Sequence, residues 1–533
     1  MKTRISFVLG ILIFTACEKF DYTAEENSRQ HIDSDTELQQ AVTGAYAKFA
    51  EIFYDGSYRN SFLLQTINAD DIYLGGNYES ANCYTESVIQ TFDENNDTVY
   101  LGTGCSRYYP EQNDVEEDYN EVMEKAYRRI YQAIVSQNNI INQQNNLPAQ
   151  NELTGRLIGE VYFMRAYSYF RLTRLFGEIP VILDTDVSYN VTLSSFVEIY
   201  KQIESDLLQA IRLLPQTNSN IIPSTICPNR GCAKALLAEV YLTMGGYPVN
   251  DPSKYALAAQ YAREVIDSAS FCGFALLGDF ADLYGWEFVK NSEMVSTIQF
   301  KSVTTYEDVE DPYAVSVYES NELSRHIHTF YAGVNFFNNF PLNYRKENTF
   351  ELSHIISTWD ATTFTCIEKT VYPLITTTCY AQQFKKSSVP YFEQYYEKKE
   401  SYPLYILRFA HTLLTYAEAS ARSGNLSDIC YEAINQVRRR ANKLPVNTPS
   451  EYDLTTGLTT EQFLDSVVWE RAWEFAGEAE GRWFDLLRLE MIDNTNELRD
   501  PNDYPLLNGS IQDGECFYPI PEIDIFLNPN LAE

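Results

Sequence analysis

"RLIGEVYFMRAYSYFRLTRLFGEIPVI", Arg156 to Ile182, places Leu157, Val161, Met164, Tyr167, Ser168 and Leu172 at three- and four-residue steps. That spacing keeps them on one side of a 3.6-residue helix, so the segment is predicted to be amphipathic and to bury that side. Gly177 and Pro180 then end it, because glycine favours a chain reversal and proline cannot continue the hydrogen-bond ladder.

The same pattern recurs on both sides of this segment. Upstream are "ELQQAVTGAYAKFAEIF" (Glu37–Phe53) and "YNEVMEKAYRRIYQAIVSQNNIINQ" (Tyr119–Gln143); downstream are Phe196–Pro215, Cys232–Gly246 and Tyr255–Ala269. Each is about fifteen to twenty-five residues, and turn residues separate them. A last helical block follows as Pro403–Asn425, Asp428–Asn442 and Thr460–Leu487. Helix, turn, helix with Ala and Tyr at packing positions predicts a mainly α fold of degenerate tetratricopeptide-like hairpins that stack to bury a shared face. Two stretches break the period. Residues 73–110 and 271–402 are rich in Thr, Asn, Phe and Tyr and read as loop-rich insertions with short strands.

Of the 533 residues, 74 are acidic and 40 are Lys or Arg, for a net charge of −34. Such a chain repels phosphate backbones, and no local run of basic residues reverses the sign, so nucleic acid is excluded as a partner. At the N-terminus a basic start, Lys2 and Arg4, precedes the apolar run Ile5–Ala16, which is too short to span a bilayer and has the form of a signal peptide over residues 1–16. "IFTAC" then ends on Cys17, the expected site of lipidation, and residues 17–40 read as anchor and tether ahead of a single domain over 41–533. Setting Cys17 aside leaves nine of the ten cysteines, an odd number. Cys227 with Cys232, Cys366 with Cys379, and Cys83 with Cys105 are spaced for loop-closing disulfides, with free buried thiols as the alternative. Five histidines and no paired CxxC leave no metal-ligand signature, and no cofactor motif is present.

One stretch is dense in chemistry: "ERAWEFAGEAEGRWFDLLRLEM", Glu470–Met491. Paired carboxylates such as Glu474 and Glu478 are the residue type for general acid/base work. On a continuous helix, however, Glu470, Glu474 and Glu478 share one face, beside an apolar stripe of Trp469, Trp473, Ala476, Trp483 and Leu487. Glycosidic hydrolysis needs two carboxyls facing each other across a cleft, whereas these lie along one helix among arginines. The expectation is a packed structural joint, with Glu478–Arg482 and Asp485–Arg488 as ion pairs and Glu480 neutralised by a neighbouring arginine.

Taken together, the ordered segments resemble the SusD/RagB family of outer-membrane nutrient-binding lipoproteins. They are the lipobox-like "IFTAC", "NADDIY", Glu160-x-x-Phe163-x-Arg165-Ala166-Tyr167, "CAKALLAEVYL", "NSEMVSTIQF", "LLTYAEA", "AINQVRRRA", the Glu470–Met491 stretch and "YPIPEIDIFLNPNL". The resemblance spans nearly the whole chain and implies four tetratricopeptide-like units framing a loop-rich binding portion. It further implies a lipid-anchored protein at the cell surface, no catalytic residues, and a SusC-like TonB-dependent outer-membrane barrel as partner. The ligand implied is an oligosaccharide or other nutrient. After the helix-ending Arg488 the chain departs from the family pattern at "MIDN".

A sugar offers an apolar C–H face rimmed by hydroxyls, so its site needs exposed aromatic platforms beside amides and carboxylates. The first insertion supplies Tyr73, Asn77, Tyr78 and Tyr84; the second supplies His328, Tyr331, Asn335, Phe336 and Asn338, with Trp359 as an outlying platform. Two other readings stand beside a binding protein: a helical scaffold that binds only protein, and a surface glycoside hydrolase.

Overall fold

The computed structural model describes residues 31–53, 69–76, 90–92, 98–100, 106–107, 113–147, 151–185, 190–217, 227–283, 291–299, 330–350, 353–359, 366–373, 403–478, 481–493 and 516–532. Within these the chain is mainly helical. The frame consists of α1 (Asp35–Glu51), α2 (Asn113–Gln143), α3 (Glu152–Phe176), α4 (Phe196–Leu213), α5 (Arg230–Gly245) and α6 (Lys254–Asp267). Two short helices, α7 (Val334–Asn339) and α8 (Tyr344–Thr349), lie in the second insertion. The frame resumes with α9 (Phe409–Arg422), α10 (Asp428–Ala441), α11 (Thr460–Glu474) and α12 (Arg482–Arg488), and α13 (Glu522–Leu527) follows near the C-terminus.

Local sequence sets the helix ends as its composition demands. Asn151 accepts a hydrogen bond from the Thr154 N–H at 2.9 Å to cap α3, and Gly177, at φ +74°, ends it. Ser195 with Glu198 and Thr459 with Gln462 form reciprocal capping boxes at the starts of α4 and α11. The predicted stripe of α3 is buried, although burial extends almost all round it. The reason is its position: α3 packs against α1, α2 and α4 at once. Arg165 of α3 is among the buried residues because it forks onto Asp206 of α4, Nε to Oδ2 at 2.8 Å and Nη2 to Oδ1 at 2.7 Å.

Helices that are neighbours in sequence are neighbours in space: α1 with α2, α2 with α3, α3 with α4, α4 with α5, α5 with α6, and α9 with α10. The second insertion intervenes between α6 and α9, yet these two pack directly on each other. The array is therefore continuous, and both insertions leave it between adjacent helices. One large apolar core runs through α1–α6 and α9–α11, joined by two smaller clusters. No helix among the described residues is long and apolar enough to cross a membrane.

The strands belong to the insertions, except one at Pro403–Arg408, the start of a stretch expected to be helical. β1 (Ile72–Gly76) pairs antiparallel with β4 (Ser106–Arg107) on one side and with β6 (Phe330–Ala332) on the other. β2 (Gln90–Phe92) pairs with β3 (Thr98–Tyr100), and β7 (Ser353–Trp359) pairs with β8 (Cys366–Pro373). β5 (Met294–Gln299) pairs with β9 (Pro403–Arg408), so the second insertion leaves and re-enters the frame at one place, and β9 runs straight into α9.

Four further expectations are corrected. The folded chain begins before residue 41: Ile32 is buried, and α1 starts at Asp35 behind a Ser34 cap. The segment Thr460–Leu487 is two helices, because α11 stops at Glu474, Gly477 turns the chain at φ +71°, and α12 starts at Arg482. Cys227 and Cys232 are buried and not joined by a disulfide. Cys232 lies inside the α5 cap, where its Sγ donates to Asn229 Oδ1 at 3.3 Å, and burial pushes both thiols up to about 12. Finally, residues 334–339 and 344–349 are helical, within what reads as loop and strand.

Candidate functional site

The dense stretch Glu470–Met491 is the floor on which both insertions stand. Glu470 and Glu474 lie one turn apart on α11 and both receive Nη1 of Arg345 from α8, at 2.7 and 3.0 Å. Glu474 Oε1 also accepts from Arg408 Nη1 at 2.9 Å and from Arg440 Nη2. Glu293, just before β5, bridges the same two arginines at 2.6 Å each. These side chains have almost no solvent exposure. A buried charge is tolerable only when paired and hydrogen-bonded, and here each carboxylate has at least two guanidinium contacts.

Past the Gly477 turn, Glu478 takes the remaining prongs of Arg408, Nη2 to Oε1 at 2.8 Å and Nε to Oε2 at 3.0 Å. The expected Glu478–Arg482 pair is absent, because the broken helix removes their i,i+4 relation; Arg482 turns instead to Asp70. The Asp485–Arg488 pair forms at 2.8 Å. Glu480 lies outside the described residues. A second charged group ties α12 to the frame: Arg488 forks onto Glu418 at 2.6 and 2.7 Å, and Arg471 reaches Asp485 at 2.8 Å and Glu239 at 3.0 Å. Burial opposes ionisation of Glu418, but Arg488 and Arg422 overcome it and hold the carboxyl far below its ordinary range. His411 stacks on Phe475 at 3.6 Å and is kept neutral, its pKa driven well below the usual value by burial and then by the Arg408 charge. Glu474 thus has its oxygens engaged by arginines and no exposed surface on which a substrate would rest.

The first insertion reaches this floor through Ala69–Asp71. Asp70 accepts Arg482 Nε at 2.7 Å on Oδ1 and Nη2 at 2.9 Å on Oδ2. Asp71 accepts the Gly477 N–H at 3.0 Å on its side chain and the Gly333 N–H at 2.9 Å on its main-chain oxygen. Burial, then the adjacent Asp70 charge, pushes the Asp71 carboxyl up to about 7. Immediately after it, β1 runs beside β6 with Ile72 opposite Ala332, Tyr73 opposite Tyr331 and Leu74 opposite Phe330. The second insertion is seated by Arg345 and by a cluster of Phe336, Phe337, Phe340 and Phe350 packed on Ala472 and Ala476 of the floor. Lys346 Nζ donates to the Phe337 carbonyl at 2.5 Å and lies 4.1 Å from the centre of that ring.

The predicted ligand residues divide accordingly. Tyr73 and Tyr331, chosen from different insertions, are brought together as direct register partners. Asn335 and Asn338 sit on α7, half-buried and exposed respectively. Phe336 on the same helix is only 4% exposed, with its ring 5.9 Å from Phe340, and so is a packing residue rather than a surface platform. A short helix that must seat on α11 turns that residue inward, a direction not legible while the segment reads as loop. Trp359 ends β7, opposite Cys366. Cys17, Asn77, Tyr78, Tyr84 and His328 lie outside the described residues, as do Cys83, Cys105 and Cys379 of the two other suggested disulfides. What sequence reading missed is the seat itself: the roles of Asp70, Asp71, Gly333 and Arg345. The signal was present as two acids just before a strand within "NADDIY", but their arginine and glycine partners are more than 250 residues away.

Comparison with known proteins points in one direction. A family profile described as "Starch-binding associating with outer membrane" matches residues 20–242, and one described as "SusD family" matches residues 373–533. The chain is 24% identical over 577 residues to the SusD-like protein P2 of Formosa agariphila, covering 99% of this chain and 98% of that protein. Its fold superposes on a SusD homolog of Bacteroides thetaiotaomicron with a TM-score of 0.71 at 20% identity, covering 95% of this chain and 98% of that one. It also superposes on a surface glycan-binding protein A of Bacteroides thetaiotaomicron in complex with laminarihexaose, with a TM-score of 0.66 at 17% identity, covering 93% and 98%.

Proposed function

Because the chain belongs to the SusD/RagB family, we propose that it is a cell-surface binding lipoprotein that captures an oligosaccharide and hands it to a TonB-dependent outer-membrane barrel. The observation that carries the reading is the β1–β6 pairing, which sets strands from two aromatic- and amide-rich insertions side by side on a rigid floor. Binding surfaces on irregular segments work when a stable scaffold fixes them, because the ordering cost is then met on folding rather than on binding. A related fold that holds laminarihexaose supports an oligosaccharide as the ligand class. Tyr73, Asn77, Tyr78, Tyr84, His328, Tyr331, Asn335, Asn338 and Trp359 remain the proposed ligand contacts, while Phe336 packs with Phe340 and Phe350.

In this reading Cys17 carries the lipid that keeps the protein at the outer membrane, and proximity raises the effective concentration of the barrel. The carboxylates of Glu470–Met491 take no part in bond cleavage. Calorimetric titration of the purified protein with a panel of β-glucan and hemicellulose oligosaccharides tests the binding claim. Saturable binding with no release of reducing ends is expected. Released reducing ends would favour a hydrolase instead. Mild-detergent purification from native outer membranes should recover a barrel protein, and mass spectrometry should find an acylated Cys17. Recovery of the barrel with no saccharide binding in the titrations would leave a protein-binding scaffold as the better reading.

A further inference from the structure

We infer that Asp71 and Gly333 form a clasp that positions the two insertions relative to each other, and that ligand affinity depends on this clasp although neither residue contacts ligand. The inference rests on the binding role proposed above. Asp71 links three parts of the fold. Its main-chain oxygen takes the Gly333 N–H of the second insertion, its side chain takes the Gly477 N–H of the floor, and its chain continues directly into β1.

Gly333 is fitted to this contact. A Cβ there would lie 2.2 Å from the Asp70 carbonyl oxygen, a backbone atom that cannot turn aside as a flexible side chain does. The glycine requirement comes from close approach of two backbones. Just beyond the clasp, Ile72 faces Ala332 and Tyr73 faces Tyr331. The antiparallel register of these strands has no long ladder to fix it, since β6 has only three residues. A slip of one residue inverts the faces of a strand, so a short pairing needs an end stop. Asp71 and Gly333 supply that stop at the floor end, and Asp70 on Arg482 keeps the stop itself from moving.

The clasp is a positioning device, so its test must read more than stability. Asp71→Ala removes the Gly477 bond, Asp71→Asn retains an acceptor for it, and Gly333→Ala drives the two roots apart from the other side. Hydrogen exchange is followed on peptides carrying β1 and β6, with α3 as internal reference. Affinity for laminarihexaose is measured by calorimetry. In Asp71→Ala and Gly333→Ala, exchange in both strands should rise together by tenfold or more with α3 unchanged, and affinity should fall at least tenfold; Asp71→Asn should restore both. If either disruptive variant misfolds, the other still decides. Exchange rising in one strand alone, or affinity preserved while both strands open, overturns the clasp. If the wild-type protein binds neither laminarihexaose nor the wider panel, the proposed function fails on its own account, and the exchange data still decide whether the clasp exists.

Discussion

Arg482 grips Asp70 with two prongs, Nε to Oδ1 at 2.7 Å and Nη2 to Oδ2 at 2.9 Å, across 412 positions of sequence. Both side chains are buried, so the pair is an all-or-none element: intact it is compensated, and with one member removed it leaves a charge in a medium that cannot solvate it. Arg482→Ala should therefore cost about 3–5 kcal/mol in urea unfolding. Arg482→Lys should recover only part, because an ammonium lacks the planar fork. An unchanged unfolding midpoint for Arg482→Ala would show that the pair carries no structural weight.

Glu474 and Glu478 offer a graded comparison. Glu474 contacts Arg345, Arg408 and Arg440 with no exposure, whereas Glu478 meets Arg408 at the rim, with 12% of its side chain exposed. Glu474→Gln should destabilise by about 3 kcal/mol or more, and Glu478→Gln by roughly half of that or less, since solvent can relieve what remains. Equal effects would indicate that the two carboxylates act as one unit. Neither substitution should alter ligand affinity in protein that remains folded.

Stability should depend on pH in a way that identifies Asp71. Its folded value, about 7, exceeds its ordinary 3.8, so the folded state holds the proton more tightly than the unfolded chain does. The stability linked to it is complete below the unfolded value and is lost as pH rises through about 7. Glu160, raised to about 7 by burial, acts in the same direction. Glu418 and Asp485, held low by their arginines against burial, act oppositely: their contribution is present above the unfolded value and is lost as pH falls through the folded one. The melting temperature should peak in mildly acidic solution and decline toward pH 7, and Asp71→Asn should flatten that decline. A decline just as steep in the variant would assign it to the other carboxyls that burial raises, Glu160 and Asp524, the latter to about 6.

The thiols give a chemical check. Cys227 and Cys232 are buried and not joined by a disulfide, with burial pushing their thiols up to about 12. Alkylation of native protein at neutral pH should leave them unmodified, and alkylation after unfolding without reductant should label both. Peptide mapping that recovers a Cys227–Cys232 crosslink would contradict the fold around the α5 cap.

The frame was legible because helical period and capping are short-range. Leu157 to Leu172 predicts α3, and Gly177 ends it, from local chemistry alone. The insertions were legible only as interruptions of that period, which says nothing of their internal direction; hence Phe336 reads as exposed when it is buried in the seat of α7. Ion pairs follow the same division. Asp485–Arg488 was readable because one helical turn joins them, whereas Glu478–Arg482 failed because Gly477 adopts a left-handed turn that breaks the shared helix.

By itself, the sequence determined a helical array, two irregular insertions, a family resemblance and the residue types a sugar site requires. Only the tertiary structure decided which carboxylate meets which arginine, that β1 and β6 from distant segments lie in register, and that both insertions share one floor. The physical reason is range. Periodicity, caps and turns are fixed by residues a few positions apart, whereas a buried charge must find its partner wherever packing brings one within about 3 Å, and for Asp70 that partner is Arg482.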